Sequence, residues 1–446
     1  MNSRTRWRRP AIAAILLAIA GCSSAPAPLR TPPPPVSLPQ TDQQAGLARV
    51  AWEDGLTLDE AVAVAMRKNP ALMAARERHG IAQALHTQAG VYPFNPEVSV
   101  GGASDAAFRD HGESGLAAEL AQTFETGGQR GHRRAVAEAE GRRIGWEVLD
   151  VERTTREELV STFYRVLVLE RKADLVDQAL ELARKLEEIS EKRVKAGDLP
   201  ALEANVSKIE VQRALKARTE ARTALRRERF ALCRLLGEPP REDVKLVGDI
   251  AAAEPGPGGD LAVRALESRP DVLAARAAVE SAERSVGLAR SQRAPDVMLS
   301  AQYERERSVD DEVADVAEFF GGALTVPLPL WNRQQGEIAQ AGAEAAVARA
   351  LVASIERDVI AQVASADERL RLAREIVDLY EKDLIPLVKS NLDLNEKAFS
   401  AGQVSTLLLL KAQQDYIETN SAYLDALGEL HEARAAIDAA VGAGVR

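Results

Sequence analysis

Three long stretches of the sequence contain neither glycine nor proline, and they constrain the fold more than any other feature. They are Trp146–Ala196, Ala201–Leu236 and Ala343–Ile385, with 51, 36 and 43 residues. At 1.5 Å per residue, 51 residues would make a helix about 75 Å long, whereas globular helices average about 11–12 residues. The pattern predicts long antiparallel helices that pack as coiled coils or as a helical barrel.

An internal repeat divides the chain into two halves. Ala63–Ala84 resembles Ala262–Arg284, and Lys195–Leu199 resembles Ser400–Val404, which indicates a tandem duplication. Glycine suits the left-handed cap of a helix, so we predict that the two long helices of each half turn back at Gly197 and at Gly402. The predicted domains are a first repeat (51–240), a Pro/Gly-rich seam (241–260), a second repeat (261–442) and a short tail (443–446).

A segment with a different hydrophobic pattern precedes the long helices of each half. Apolar residues alternate with a period of two, which indicates strands. The strands form two predicted hairpins, 96–125 and 295–328, and the charged segments Asp105–Gly115 and Arg305–Glu318 are predicted to be their loops. Each strand has about 8–10 residues, close to what crosses a bilayer when tilted. Four strands cannot close a barrel, so either the hairpins are soluble or several chains pool their strands.

The N-terminus has the pattern of a secretory signal. Four arginines without an acid precede the apolar run Ala11–Ala20, and Gly21 and Cys22 follow. We predict a signal peptide at 1–21, acylation of Cys22, and a Pro-rich extended tether over 22–50. The alternative is an ordinary signal with a chance cysteine.

Composition excludes several classes of function. The net charge of -10 disfavours a nucleic-acid partner. Two cysteines and five scattered histidines make a metal site unpromising, and Cys233 has the setting of a helix core residue. The sequence offers no nucleophile–base pair and no phosphate loop, so we expect no enzyme activity, no cofactor and no bound metal.

Four segments together resemble one known family. They are Asn69–Arg76, Gln88–Pro96, Gln122–Arg130 and Pro327–Gly336. The chain resembles the TolC-type outer-membrane efflux family, and within it the CzcC-like branch of metal-ion efflux systems. The resemblance covers nearly all of the mature chain.

The resemblance implies a mostly helical homotrimer with a small membrane β part. Each chain would contribute four strands to a shared 12-stranded barrel in the outer membrane of a Gram-negative bacterium, and the helices would form a periplasmic α-barrel. The implied partners are membrane lipid, a periplasmic adaptor and an inner-membrane RND pump. The duct would passively export substrates, with divalent metal cations as the first expectation. The alternatives are efflux of organic compounds, or a coiled-coil lipoprotein without a pore.

The resemblance also assigns roles to particular residues. Adaptor docking is expected at the helix tips, Ala196, Gly197, Asp198, Leu199, Ala401, Gly402, Gln403 and Val404, which are otherwise simple tight turns. A gate is expected at Glu203, Phe399, Leu408 and Lys411, with Leu408 as a hydrophobic constriction and Lys411 alternatively a solvated helix charge. Strand-exit turns are expected at Gly127, Gly128, Pro327 and Pro329.

Overall fold

Long helices and a small sheet make up both halves of the chain. The computed structural model describes residues 55–104, 114–197, 200–251, 258–310, 313–401 and 403–442. The predicted signal peptide, Cys22, the tether and the tail lie outside these residues.

The elements of the first half follow in a simple order. They are α1 (Leu58–Lys68), α2 (Pro70–Gly90), β1 (Glu97–Ser104), β2 (Ser114–Phe124), α3 (Gln129–Lys195) and α4 (Ala201–Leu235). The second half repeats this order with α5 (Leu261–Ser268), α6 (Pro270–Ser291), β3 (Val297–Asp310), β4 (Val313–Thr325), α7 (Gln335–Leu379), α8 (Ile385–Ser400) and α9 (Thr406–Val441).

Local signals explain where the short helices begin. Thr57 and Glu60 form a capping box at the start of α1. The side chain of Asn69 accepts a hydrogen bond from the backbone N–H of Leu72 at 3.1 Å, and Pro70 occupies the first position of α2. In the second half Asp260 caps α5 in the same manner, accepting from the N–H of Val263 at 3.2 Å.

One wide turn separates α7 from α8, which otherwise form a continuous helix. Residues Tyr380–Leu384 form a single π-helical turn, and α8 then starts with Pro386 in its first turn. Proline has no N–H to donate and its ring collides with the carbonyl four residues earlier. A single wide turn removes that conflict and lets the helix continue.

The four strands form one antiparallel sheet in the order β1-β2-β3-β4. The hairpins are those predicted, but the predicted loop Arg305–Glu318 was wrong in extent. Strand β3 continues to Asp310 and β4 begins at Val313, so most of that charged segment is paired strand. The charges of this segment, which alternate in sign along β3, are typical of a loop by composition. They are also compatible with a sheet whose two faces are both exposed in the single chain. The outer edges of β1 and β4 have no partner strand among the described residues.

Each half has its own hydrophobic core next to the short helices. In the first half, Leu159 and Phe163 of α3 pack against Leu232 and Cys233 of α4. Cys233 is fully buried, as predicted, and burial raises the pKa of its thiol. In the second half, Val359 and Leu370 of α7 pack against Leu427, Leu430 and Ile437 of α9, together with further members of the same cluster.

The seam is fixed by backbone pairing and by one buried histidine. Leu56 forms an isolated parallel bridge with Leu246. The side chain of Ile250 packs against the cores of both halves. His431 of α9 lies 2.9 Å from the Ile250 carbonyl and stacks on Tyr164 of α3 with the ring centroids 3.6 Å apart. The seam therefore joins the two cores.

Matching contacts recur in the two halves. Asn69 donates to the Leu235 carbonyl at 2.9 Å, and Arg269, at the corresponding helix junction, donates to the Ala440 carbonyl at 3.2 Å. Gly237 and Gly442 end α4 and α9 with φ of 67° and 75°.

A second pair of matching contacts is ionic. Arg76 and Glu152 are joined at 2.7 Å, and Arg276 and Glu356 are joined at the same distance. Both pairs link the short helix of a half to its long helix. The two ion pairs therefore occupy corresponding places in the two halves.

Candidate functional site

The first helix tip lies at the end of α3, the longest helix. Its 67 residues place the tip about 100 Å along the helix from the sheet. Gly197 has φ of 85°, the left-handed cap predicted from its sequence, and its N–H donates to the Val194 carbonyl at 3.1 Å. Ala196 is the C-cap residue of α3. Asp198 and Leu199 lie outside the described residues.

The second tip connects α8 to α9. Ala401 caps α8, and the N–H of Gln403 donates to the Ala398 carbonyl at 2.9 Å. Val404 is half-buried, and Ser405 precedes the first residue of α9 in an extended conformation. Gly402 lies outside the described residues.

Glu203 is held by the other half of the chain. Its carboxylate accepts a hydrogen bond from the hydroxyl of Thr406 at 3.0 Å, and Thr406 is only 2% exposed. Two turns further along the helices, Gln414 donates to the carboxylate of Glu210 at 3.1 Å. The two returning helices, α4 and α9, are therefore tied together near the tips by two polar links.

Sequence reasoning singled out Glu203 but missed its partner Thr406 and the whole Glu210–Gln414 link. The three missed side chains belong to common polar types on long polar helices. No local sequence signal marks them, because the partners of each link lie about 200 residues apart in the chain.

Phe399 is half-buried near the second tip. It contacts a small apolar cluster of Leu186, Leu409 and Leu410. The guanidinium carbon of Arg193 lies 5.7 Å from the centre of its ring, which is within the range of a cation–π contact. Phe399 thus links α8 to α3.

Leu408 and Lys411 face away from the packed side of α9. Leu408 is 50% exposed. Lys411 forms an ion pair with Asp415 on its own helix at 2.7 Å, and this hydrogen bond raises the pKa of Lys411. In the single chain Lys411 therefore has the geometry of a solvated helix pair, and Leu408 is left free to meet another surface.

The first strand-exit turn is tightly packed. A Cβ atom on Gly127 would lie 2.3 Å from the Ser291 carbonyl oxygen, so no larger residue fits there. Gly128 has φ of 72° and precedes α3. The Thr126 hydroxyl donates to the Pro295 carbonyl at 2.7 Å, and the side chain of Gln129 donates to Asp296 at 3.1 Å.

An ion pair closes the same turn. Arg133 makes a two-pronged contact with the carboxylate of Glu125, whose side chain is 8% exposed. The hydrogen bonds from Arg133 to Glu125 raise the pKa of Arg133. The sequence pattern points to the glycines of this turn and gives no sign of the ion pair.

The second strand-exit turn has the same local geometry in an exposed setting. Pro327, Pro329 and Trp331 are exposed, Trp331 by 85%. Gln334 has φ of 59° and precedes α7, as Gly128 precedes α3. Asn332 accepts from the N–H of Gln334 at 3.0 Å, forming a compact turn.

Metal ligands do not cluster in the part of the chain that the structure describes. No group of three or more His, Cys, Asp or Glu side chains there could hold a metal ion. One helical stretch, Gln335–Ser400, is long and apolar enough to cross a bilayer by composition, and it is mostly unburied in the single chain.

Comparison with known proteins gives consistent matches. Residues 261–443 match the profile of the outer membrane efflux protein family. The chain is 24% identical over 389 residues to the cobalt-zinc-cadmium resistance protein CzcC of Cupriavidus metallidurans, with 87% of this chain and 90% of that protein covered.

Solved structures show the same fold. The Campylobacter jejuni CmeC outer membrane channel matches with a TM-score of 0.73 at 15% identity, over 89% of this chain and 91% of that chain. The outer-membrane channel OprN matches with a TM-score of 0.72 at 18% identity, over 87% of this chain and 90% of that chain.

Proposed function

We propose that the chain, whose residues 261–443 match the outer membrane efflux protein family, belongs to that family and forms the trimeric outer-membrane duct of a tripartite efflux system. One observation carries the proposal: a four-stranded sheet, open at both edges, stands at one end of helices about 100 Å long. Open strand edges cannot be exposed to lipid, since each unpaired backbone group would cost several kcal/mol there. Three chains would supply a closed 12-stranded barrel.

The two faces of the sheet support a membrane position. One face carries apolar residues that are largely exposed in the single chain, namely Val98, Val100, Leu116, Leu120, Leu299, Phe320 and Leu324. The opposite face carries small and polar residues, among them Ser99, Glu119, Ser300 and Gln302. Apolar-out and polar-in alternation is typical of a barrel that lines a water-filled pore.

The repeat supports closure around an axis. In the first half the exit turn is covered by residues 291–296 of the second half. A duplicated chain would cover its second exit turn in the same way with the corresponding segment, around residues 91–96, of the next copy. The exposure of Trp331 in the single chain fits this arrangement.

Helix α7 and its continuation support a tunnel rather than a single-pass membrane helix. From Gln335 to Ser400 they would span about 100 Å, three times the hydrocarbon thickness of a bilayer. Exposed apolar residues recur on one side of this helix, namely Val347, Leu351, Leu372, Ile376, Leu379, Leu387 and Leu394. We therefore propose that this face packs against the neighbouring copy.

The helix tips would form the periplasmic mouth. Adaptor docking is proposed at Ala196–Leu199 and Ala401–Val404, the ends farthest from the sheet. Leu408 is proposed as the hydrophobic constriction of a gate that adaptor binding opens. The Glu203–Thr406 and Glu210–Gln414 links would keep α4 and α9 moving as one unit.

The proposed cargo is divalent metal cations, because the relative of 24% identity is a cobalt-zinc-cadmium resistance protein. The duct would do no bond chemistry and would draw its energy from an inner-membrane RND pump through the adaptor. Organic compounds are the alternative cargo. We also propose that Cys22 is acylated after removal of residues 1–21, anchoring the protein to the outer membrane.

Two neighbouring residues test the barrel. Leu299 lies on the apolar face of β3, four residues before Tyr303, and Ser300 lies on the polar face. Lysine on a lipid face costs about 2–4 kcal/mol near the bilayer midplane, so Leu299→Lys is expected to abolish heat-modifiable trimers and bilayer conductance. Ser300→Lys, one residue away, is expected to preserve both. A monomeric, water-soluble wild-type protein would refute the duct and favour the coiled-coil lipoprotein.

Cargo is tested in cells. A deletion strain is expected to lose tolerance to cobalt, zinc or cadmium, and the wild-type gene should restore it. Loss of tolerance to organic toxins with unchanged metal tolerance would instead support the alternative cargo.

The gate is tested by Leu408→Gly, which is expected to raise the closed-state current of purified trimers. An unchanged current would exclude Leu408 as the constriction.

A further inference from the structure

Charges alternate along the outer part of β3 in the order Glu304, Arg305, Glu306, Arg307. Successive residues of a strand point to opposite faces of the sheet. Arg305 pairs with Leu116 of β2, and Leu116 belongs to the apolar face. The two arginines therefore lie on the apolar face of the sheet and the two glutamates on the polar face.

The position of the arginines along the apolar face is defined by two aromatic rings. Tyr303 and Phe320 are cross-strand partners on that face, with their ring centroids 4.9 Å apart. Aromatic girdles mark the level where the hydrocarbon of a membrane meets the headgroups. Arg305 and Arg307 follow Tyr303 along β3 toward the hairpin tip. They therefore lie at the level where the lipid headgroups begin.

The local charge balance leaves this surface basic. Arg305 has a carboxylate at the edge of ion-pair range, Glu318, at 4.0 Å with both side chains 54% exposed. Arg307 is exposed, and its direct cross-strand neighbours are Ser114 and Val316, neither of which carries charge.

Three acidic residues of this part of the sheet lie on the other face, while Glu318 shares the face of Arg305. Glu304, Glu306 and Asp315 are paired with residues of the polar face and are exposed. The sheet thus carries three acids on the proposed pore side, whereas the proposed lipid side carries two arginines and one acid, Glu318, and keeps a net positive charge.

We propose that Arg305 and Arg307 bind the phosphate groups of anionic lipid headgroups and fix the depth of the barrel in the membrane. The proposal rests on the duct function above, because it needs the apolar face to meet lipid. The planar guanidinium group binds phosphate oxygens through two hydrogen bonds at once, which favours arginine at such a surface. The lipid phosphate, rather than free phosphate, is the assigned ligand, because the site adjoins an apolar surface that only a lipid's chains would cover.

The experiment compares three double variants of the full-length protein with the wild type. The proteins are inserted into vesicles of phosphatidylcholine with phosphatidylglycerol, extracted in mild detergent, and examined by native mass spectrometry for retained phosphatidylglycerol. The variant Arg305→Gln/Arg307→Gln is expected to retain about one fifth as much phosphatidylglycerol as the wild type, or less. One basic residue at a membrane surface accounts for about a fivefold change in binding. Arg305→Lys/Arg307→Lys is expected to lose less, since lysine keeps the charge and not the two-pronged geometry.

The matched control is Glu304→Gln/Glu306→Gln, which alters the same strand by the same number of charges on the opposite face. It is expected to retain as much phosphatidylglycerol as the wild type. Equal retention by the arginine-to-glutamine variant, or an equal loss in the control, would overturn the proposal.

Two further outcomes separate the possible errors. Inorganic phosphate added at millimolar concentration is expected to leave the retained lipid unchanged; its displacement of the lipid would show that the site takes free phosphate, and would also overturn the proposal. If the wild type conducts in bilayers while retention is insensitive to Arg305 and Arg307, only this inference fails. If the wild type does not enter bilayers at all, the duct function fails with it.

Discussion

The two strand-to-helix turns are locally alike and differ in what surrounds them. In each turn a glutamine at the first helical position accepts a hydrogen bond from the N–H two residues earlier. Gln129 accepts from Gly127 at 2.9 Å, and Gln335 accepts from Arg333 at 2.7 Å. The residue between them is left-handed in both, with φ of 72° at Gly128 and 59° at Gln334.

The surroundings separate the two turns. The first is pressed against residues 291–296 and closed by the Glu125–Arg133 pair. The second, with Trp331 and Arg333, is exposed. The second turn adopts the same conformation although no other segment of the described chain packs against it. Its own hydrogen bonds are therefore enough to form the turn, and packing against another segment adds to its stability separately. In the proposed trimer the next copy would supply that packing.

The largest expected difference between the turns concerns Gly127. Gly127→Ala would place a Cβ atom 2.3 Å from the Ser291 carbonyl, and moving backbone in a packed site costs about 1–3 kcal/mol or more. We expect thermal unfolding at a clearly lower temperature and a loss of trimers. Arg333→Ala, at the matching position, should change the unfolding free energy by only about 0.5 kcal/mol.

Gly131→Ala supplies the control for the first turn, because nothing lies within 4 Å of a Cβ atom there. It is expected to leave stability equal or slightly higher, since alanine is a better helix former than glycine. If Gly127→Ala were as harmless as Gly131→Ala, the packing difference between the two turns would not be real.

The next effect concerns the ion pair that only the first turn has among the described residues. Glu125→Gln removes the charge facing Arg133, whose side chain is 25% exposed. Breaking a fully buried pair costs about 3–5 kcal/mol, so we expect about 2 kcal/mol here, measured by chemical unfolding. Glu368→Gln breaks an exposed pair with Arg371 and should cost less than about 0.5 kcal/mol. Equal losses in the two variants would contradict the special role of the first turn.

A third effect concerns how the stability of the seam between the two halves depends on pH. His431 joins the second core to Tyr164 and to the Ile250 carbonyl, and burial lowers the pKa of His431 despite the nearby Asp249. A lowered pKa means that the unfolded chain takes up the proton first as pH falls. The stability that the neutral ring contributes is therefore complete above the ordinary histidine pKa of about 6.5, and it is lost as the pH falls from there through the lowered pKa of the folded protein.

The measurement compares wild type with His431→Phe, which keeps an aromatic ring against Tyr164 and removes the titration. The stability advantage of the wild type is expected to shrink between pH 7.5 and about 5. A constant difference over that range would show that the buried ring contributes nothing through its proton. Acid sensitivity would then have to arise elsewhere in the seam.

Sequence patterns were sufficient for the long helices and the hairpins. The absence of glycine and proline and the period-two apolar alternation are local signals, and the glycines at the predicted helix ends are visible in the sequence itself. They also predicted the left-handed conformation of Gly197 and the burial of Cys233.

Other features could not be predicted because they depend on which surfaces meet. The charges of the Arg305–Glu318 segment are typical of a solvated loop, yet pairing between β3 and β4, and with β2 as far as Arg307, continues the strands. The Thr406–Glu203 link joins residues about 200 positions apart. Such contacts follow from the helix–helix register, which no short stretch of sequence encodes.

The smallest expected effect tests the left-handed residue of each turn directly. Gln334 is the only described non-glycine residue with positive φ, and a side chain in that conformation costs about 1 kcal/mol relative to glycine. Gln334→Gly should therefore raise the unfolding free energy by up to about 1 kcal/mol, reduced by the greater freedom of glycine in the unfolded chain. Gly128→Ala should lower it by a similar amount, because no atom lies within 4 Å to hinder the new methyl group and only the backbone conformation opposes it.

Opposite signs in these two variants, measured by chemical unfolding of the purified protein, would establish that both turns carry the same backbone strain. A loss on Gln334→Gly would mean that the glutamine side chain makes a contact beyond its own turn. Gln334 is half-buried in the single chain, so that contact lies either within the chain or with another copy. Repeating the measurement on dissociated single chains distinguishes these outcomes, because a contact between copies disappears there and the strain does not.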